Sequence, residues 1–138
     1  MSQSDFKPQI LCFLCNWCSY AAADLAGVSR LQYPPIRVIK VMCSGRVDPT
    51  FIIKALKVAD GVLVGGCHIG DCHYATGNHR TKKRVLTLQR LLKNIGINPE
   101  RVRLEWISAA EGIKFAEVVN DFTNQIKELG PNPLRMMN

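Results

Sequence analysis

Six cysteines, at positions 12, 15, 18, 43, 67 and 72, are the residues of this sequence best suited to chemistry. Cys15-Asn16-Trp17-Cys18 is a C-x2-C pair and Cys67-His68-Ile69-Gly70-Asp71-Cys72 is a C-x4-C pair. Cys43 stands alone, in Cys43-Ser44-Gly45-Arg46. Plant-type 2Fe–2S sites use C-x4-C and C-x2-C spacings and need four thiolates. C-x2-C alone is shared with zinc sites and with thioredoxin-like redox pairs. Clustered cysteines in a chain without an export signal fit a metal or redox role better than disulfide staples. Five candidates compete for four positions. Cys15, Cys18, Cys67 and Cys72 follow the paired spacings and leave Cys43 as the spare, yet Cys43 can equally replace Cys18. Cys12 lies within an apolar run between Leu11 and Phe13 and is expected to be an inert core thiol.

The neighbours of these cysteines suit an anionic centre. Cys15, Cys18 and Cys43 sit near expected helix starts, where unpaired N–H groups and the helix dipole favour a thiolate. Glycines beside Cys67 and Cys72 let backbone N–H groups come close to sulfur. His68 and His73 are expected to tune the centre through N–H···S bonds or to line its loop, with direct ligation the weaker reading. Trp17 and Tyr74 can shield it from water. Arg46 can offset its negative charge or pair with Asp48.

Four short apolar runs alternate with helical patterns. Pro8 to Leu14 reads as a first strand covered on both faces, because it does not alternate. Ser19 to Arg30 reads as a helix ended by Tyr33-Pro34-Pro35, and Ile36 to Met42 as a second strand. Asp48-Pro49 opens a helix through Ala59, and Gly61 to Gly65 is a third strand. A loop from Gly66 to Asn78 leads to a basic helix over His79 to Asn94. Val102, Leu104 and Trp106 alternate in a fourth strand, and Ser108 with Glu111 forms a capping box for a last helix ending at Gly130-Pro131. The series predicts an α/β fold with a single open parallel sheet of about four strands flanked by helices. A flavodoxin-like order is favoured, with the first strand between the second and third. In that order the ends of strands one, two and three are neighbours, so five thiols distant in sequence converge where open sheets bind ligands. Residues 1–130 form one domain, and residues 131–138 a C-terminal docking tail.

Apolar residues make up 47% of the chain and charged residues 21%, which excludes a disordered chain. A domain of 138 residues buries enough surface to fold without a metal, which weighs against a purely structural zinc module. A thiol–disulfide enzyme built on Cys15 and Cys18 leaves Cys43, Cys67 and Cys72 without a role. The longest apolar runs are far shorter than the ~20 residues that span a bilayer, and no signal peptide is read in residues 1–8, so the chain is expected to stay in the cytoplasm. Eight of eighteen basic residues but only one of eleven acidic ones lie between residues 79 and 103. No aromatic residues interleave with them, which argues against nucleic acid. Arg80, Lys82, Lys83 and Arg84 are expected to dock an acidic partner. The apolar tail residues Leu134, Met136 and Met137 are expected to join that docking surface, since a core is seldom filled so late in a chain.

Cys15-Asn16-Trp17-Cys18-Ser19-Tyr20, Cys43-Ser44-Gly45-Arg46-Val47, Gly66-Cys67-His68-Ile69-Gly70-Asp71-Cys72-His73-Tyr74 and Gly77-Asn78 resemble the delta subunit family of methyl-viologen-reducing nickel–iron hydrogenase. The similarity extends over nearly the whole chain. The resemblance implies a small, non-catalytic iron–sulfur subunit of methanogenic archaea with one 2Fe–2S cluster. It implies an electron relay from the hydrogenase iron–sulfur subunit to the flavin-containing subunit of heterodisulfide reductase. That complex carries out flavin-based electron bifurcation, reducing ferredoxin and the heterodisulfide of coenzymes M and B. In related assemblies a formate dehydrogenase is the donor.

Overall fold

The structure is a computed structural model that describes residues 6–16, 19–28, 36–66, 68 and 77–136. Strands β1 (Ile10–Cys15), β2 (Arg37–Val41), β3 (Gly61–Gly66) and β4 (Val102–Trp106) alternate with helices α1 (Ser19–Val28), α2 (Pro49–Leu56), α3 (Gly77–Asn94) and α4 (Gly112–Leu129). A short α5 (Pro133–Met136) follows. The strands pair in parallel in the order β2-β1-β3-β4. This is the open α/β sheet expected from the sequence, with β1 between β2 and β3.

Each face of the sheet is covered, which is why β1 and β3 lack alternation. Cys12, Leu14 and Leu63 pack with Ala22, Ala26, Phe115, Val119 and Phe122 from α1 and α4. The opposite parity, Phe13, Val62 and Val64, packs with Ile52, Leu56, Val85, Leu88 and Leu92 from α2 and α3. β2 lies at an edge and exposes Arg37, Val38, Ile39 and Lys40; its charged residues suit a strand that must not recruit another. Asp48 caps α2 by accepting the Thr50 N–H at 2.9 Å, with Pro49 in the first turn. Among the described residues no helix is long and apolar enough to cross a membrane.

Two expectations are corrected. The last helix begins at Gly112, with Glu111 in the cap position, and Ser108 lies in a turn before it. The reason is the crossing with α1: a Cβ on Gly112 would lie 3.1 Å from both the Ala26 nitrogen and Leu25 Cγ, so the glycine must stand at the contact. The tail does not stand apart from the domain. Asn132 is fully buried; its amide donates to the Leu56 and Ala59 carbonyls at 2.7 and 3.1 Å, and its N–H donates to Asp60 at 3.1 Å. Leu134 packs, half-buried, on the α2–α3 core. Met137 and the expected helix end at Arg30 lie outside the described residues.

Candidate metal centre

The strand order makes the ends of β2, β1 and β3 adjacent, and two of the described thiols, Cys15 and Cys43, lie at that rim. Cys15 ends β1 at 2% exposure, and its thiol donates to the Met42 carbonyl at 3.8 Å. The Asn16 N–H donates to the Val41 carbonyl at 2.7 Å, joining the two strand ends. Cys43 follows β2 at 6% exposure and caps a 3₁₀ turn, Ser44–Arg46. The Gly45 N–H donates to Cys43 Sγ at 3.4 Å, the type of contact that stabilises sulfur carrying negative charge.

Two serines draw the remaining loops to the same rim. Ser19, the first residue of α1, is fully buried and donates to the Gly66 and Ile107 carbonyls at 3.4 and 3.1 Å. Ser44 accepts the Thr81 hydroxyl at 3.0 Å. The glycine pair that ends β3 makes room for both. A Cβ on Gly65 would lie 2.9 Å from Ser19 Cβ, and one on Gly66 would lie 2.8 Å from Ser44 Oγ. The described task of these glycines is to admit two serines at close range. In sequence Ser19 follows Cys18 and Gly66 precedes Cys67, so the chain neighbours of two more cysteines meet beside Cys15 and Cys43.

Cys18, Cys67 and Cys72, with Trp17, His73 and Tyr74, lie outside the described residues. Among the described residues no three Cys, His, Asp or Glu side chains gather to hold a metal. Cys15 and Cys43, buried at adjoining strand ends, are nevertheless soft sulfur donors of the type that an iron–sulfur cluster or zinc takes. Cys12 is fully buried on the α1–α4 side, and burial pushes its thiol up to about 12, so it stays protonated.

His68 contacts the Glu111 carboxylate through Nε2. This contact, with the Ser108 N–H at 2.9 Å, holds the Glu111 carboxyl down at about 2. Glu111 is a rim residue that sequence reasoning missed as such. Its signal, Ser-x-x-Glu, was visible but read only as a helix cap. Arg46 is exposed at the end of its turn, and Asp48 takes the Thr50 amide and hydroxyl rather than Arg46. Arg80, Lys82 and Lys83 are exposed on α3, whereas Arg84 is half-buried and donates to the Gly45 carbonyl at 2.6 Å. A groove of about 780 Å³ runs along β4 between α3 and α4, lined by Leu86, Gln89, Leu104, Trp106 and Gln125 among others; none of the described cysteines lines it.

These features define a small open-sheet α/β domain with two buried thiols, Cys15 and Cys43, at the C-terminal ends of adjoining strands. Residues 10–130 match the family described as methyl-viologen-reducing hydrogenase, delta subunit, and the chain belongs to that family. It is 57% identical over 129 residues to the iron-sulfur subunit of the F420-non-reducing hydrogenase of Archaeoglobus profundus, covering 92% of this chain and 94% of that one. It is 55% identical over 133 residues to the iron-sulfur subunit of the vhc F420-non-reducing hydrogenase of Methanococcus voltae, covering 95% and 92%. It is also 55% identical over 126 residues to one subunit of the ferredoxin/F(420)H(2)-dependent CoB-CoM heterodisulfide reductase of Methanosarcina acetivorans, covering 90% of this chain but 16% of that protein.

Proposed function

We propose that this chain is an electron-transfer subunit that joins a hydrogenase to heterodisulfide reductase in the cytoplasm. Four of the five thiolates of Cys15, Cys18, Cys43, Cys67 and Cys72 would hold one 2Fe–2S cluster. Such a cluster supplies a one-electron carrier. The chain's own residues do the rest. The strand ends bring the thiols together, the Gly45 N–H stabilises charge on Cys43, and the fully buried Ser19 helps close the rim to water. Electrons would come from a hydrogenase iron–sulfur subunit, or from a formate dehydrogenase in its place. They would pass to the flavin-containing heterodisulfide reductase subunit of an electron-bifurcating complex. The exposed cations Arg80, Lys82 and Lys83 are the proposed docking face, joined by Met136 and Met137 of the tail.

The observation that carries this reading is the meeting of Cys15, Cys43, Ser19 and Gly66 at one rim. Two kinds of relative support it. Hydrogenase subunits named as iron-sulfur match nearly end to end, and the same region recurs as a small part of a larger heterodisulfide reductase polypeptide. The test is anaerobic purification of the full chain with metal analysis and EPR. About two irons per chain and a 2Fe–2S signal on reduction are expected. Serine at each cysteine should abolish the signal at four positions and spare it at Cys12 and one other. Stoichiometric zinc without iron refutes the reading.

A further inference from the structure

α3 carries its polar residues on two faces. Arg80, Lys82 and Lys83 point to solvent, whereas Thr81 is 1% exposed and Arg84 is half-buried. The inward pair ends on the turn that follows Cys43. Thr81 Oγ1 donates to Ser44 Oγ at 3.0 Å, and Arg84 Nη1 donates to the Gly45 carbonyl at 2.6 Å. Gly45 in turn donates its N–H to Cys43 Sγ at 3.4 Å. Both residues after Cys43 are thus tied to one rigid helix, and the Arg84 bond is charge-assisted, roughly twice as strong as a neutral one.

We infer that Arg84 and Thr81 are positioning residues that fix Cys43 as a ligand of the centre and raise its reduction potential. Arg84 is then not a docking cation. This inference rests on the iron–sulfur reading above. Holding Gly45 keeps its N–H on the sulfur, and the guanidinium keeps a fixed positive charge beside the loop. Both act in one direction, because the reduced centre is the more negative and gains more from a hydrogen bond and from a nearby cation. Lysine would keep the charge without the planar fork that holds the carbonyl.

The test uses the full chain purified anaerobically with its iron, comparing wild type with Arg84→Gln, Arg84→Lys, Thr81→Val and the control Arg90→Gln at an exposed cation of the same helix. Iron content, the EPR-monitored midpoint potential and hydrogen exchange at the Gly45 amide are read together. Arg84→Gln and Thr81→Val should keep iron, move the potential to more negative values, and speed Gly45 exchange about tenfold. Arg84→Lys should recover part of the potential, and Arg90→Gln should change neither quantity. If Arg84→Gln fails to fold, Thr81→Val gives the same reading with a side chain of nearly the same shape. Wild-type potential and Gly45 protection in Thr81→Val, or in a folded Arg84→Gln, overturn the inference. So does an unaltered EPR spectrum in Cys43→Ser, with the cluster reading intact. A wild-type chain without iron overturns the cluster reading itself and this inference with it.

Discussion

Gly65→Ala should loosen the rim that gathers the thiols. Gly65 does not have a positive φ, so an alanine backbone is allowed and the effect is one of packing. The new Cβ would lie 2.9 Å from Leu14 Cδ2 and from Ser19 Cβ, and 3.0 Å from Ser19 Oγ. Leu14 is fully buried in the α1–α4 core and has little room to turn. Ser19 Cβ is attached to the first residue of α1, so relief requires the helix start to move and weakens the Ser19 bonds to Gly66 and Ile107. Overpacking costs about 1–3 kcal/mol. A weakened neutral hydrogen bond adds up to ~1 kcal/mol. Loss of glycine freedom in the unfolded chain returns about 0.4–1 kcal/mol. The balance is a net loss of about 1–3 kcal/mol. It should appear in urea unfolding of the reduced, metal-free chain as a lower midpoint with an unchanged slope. The variant should also retain less iron, because the displaced helix start adjoins Cys18 in sequence. Gly61→Ala, at the other end of β3, would crowd Ile126 and Phe122 instead, and should lower stability while sparing iron retention. A Gly65→Ala chain within about 0.5 kcal/mol of wild type, or one that loses stability but holds iron fully, refutes this account of the rim.

Three other perturbations test separate parts of the molecule. Cys12 should resist alkylation in the native chain at pH 8, since burial pushes its thiol up to about 12; Cys12→Ser should cost about 1–3 kcal/mol by burying a hydroxyl, and rapid native labelling would contradict the burial. Glu111 titrates near 2 when folded against an ordinary 4.5, so its contribution is full above pH 4.5 and fades as pH falls toward 2. Glu111→Gln should therefore flatten Tm against pH across that window, and an unchanged acid limb would remove the His68 contact as its cause. Arg101 is buried at 3% exposure and donates to the carbonyls of Asp60, Leu129, Gly130 and Pro131. Arg101→Met should lower urea stability by about 2–5 kcal/mol while the folded fraction keeps its iron; iron loss at the stability midpoint of wild type would mean that the two rims are coupled.

The sheet was legible because its signals are local. The unbroken apolar run of β1 and the alternation of β4 each follow from which faces are covered, and the convergence of the strand ends follows from the order. Signals that depend on a distant partner were not legible. Asn132 gains its role from Asp60, 72 positions earlier, so a tail that looked like a loose end is part of the domain. Ser108 and Glu111 make the same spacing in a turn as in a cap, and only Gly112 against α1 decides between them. Arg84 had a signal that charge counting hid. Thr81, Val85, Leu88 and Leu92 are buried at helical spacing, and Arg84 borders that stripe while Arg80 and Lys83 do not face inward.

The two ends of the sheet differ in how they handle charge, and this separates structural residues from those of the site. At the N-terminal end the ions are engaged within the chain. Arg101 binds four carbonyls, and Asp60 accepts the N–H groups of Gln9 and Asn132 at 2.8 and 3.1 Å. At the C-terminal end Ser19, Ser44, Thr81 and two glycines permit close approach of the segments, while Glu111 is taken up by His68 and the Ser108 N–H, and Lys114 by the Trp106 carbonyl. Arg84 is the cation that reaches the Cys43 turn, and it does so through a carbonyl on the far side of a backbone N–H that faces sulfur. A rim built this way leaves room for thiolates whose charge is balanced by bound metal, because the described carboxylate at the rim, Glu111, is already engaged by His68 and the Ser108 N–H. Substitutions at the first end should therefore change stability alone. At the second end, substitutions no larger than a methyl group should change what the thiols can hold.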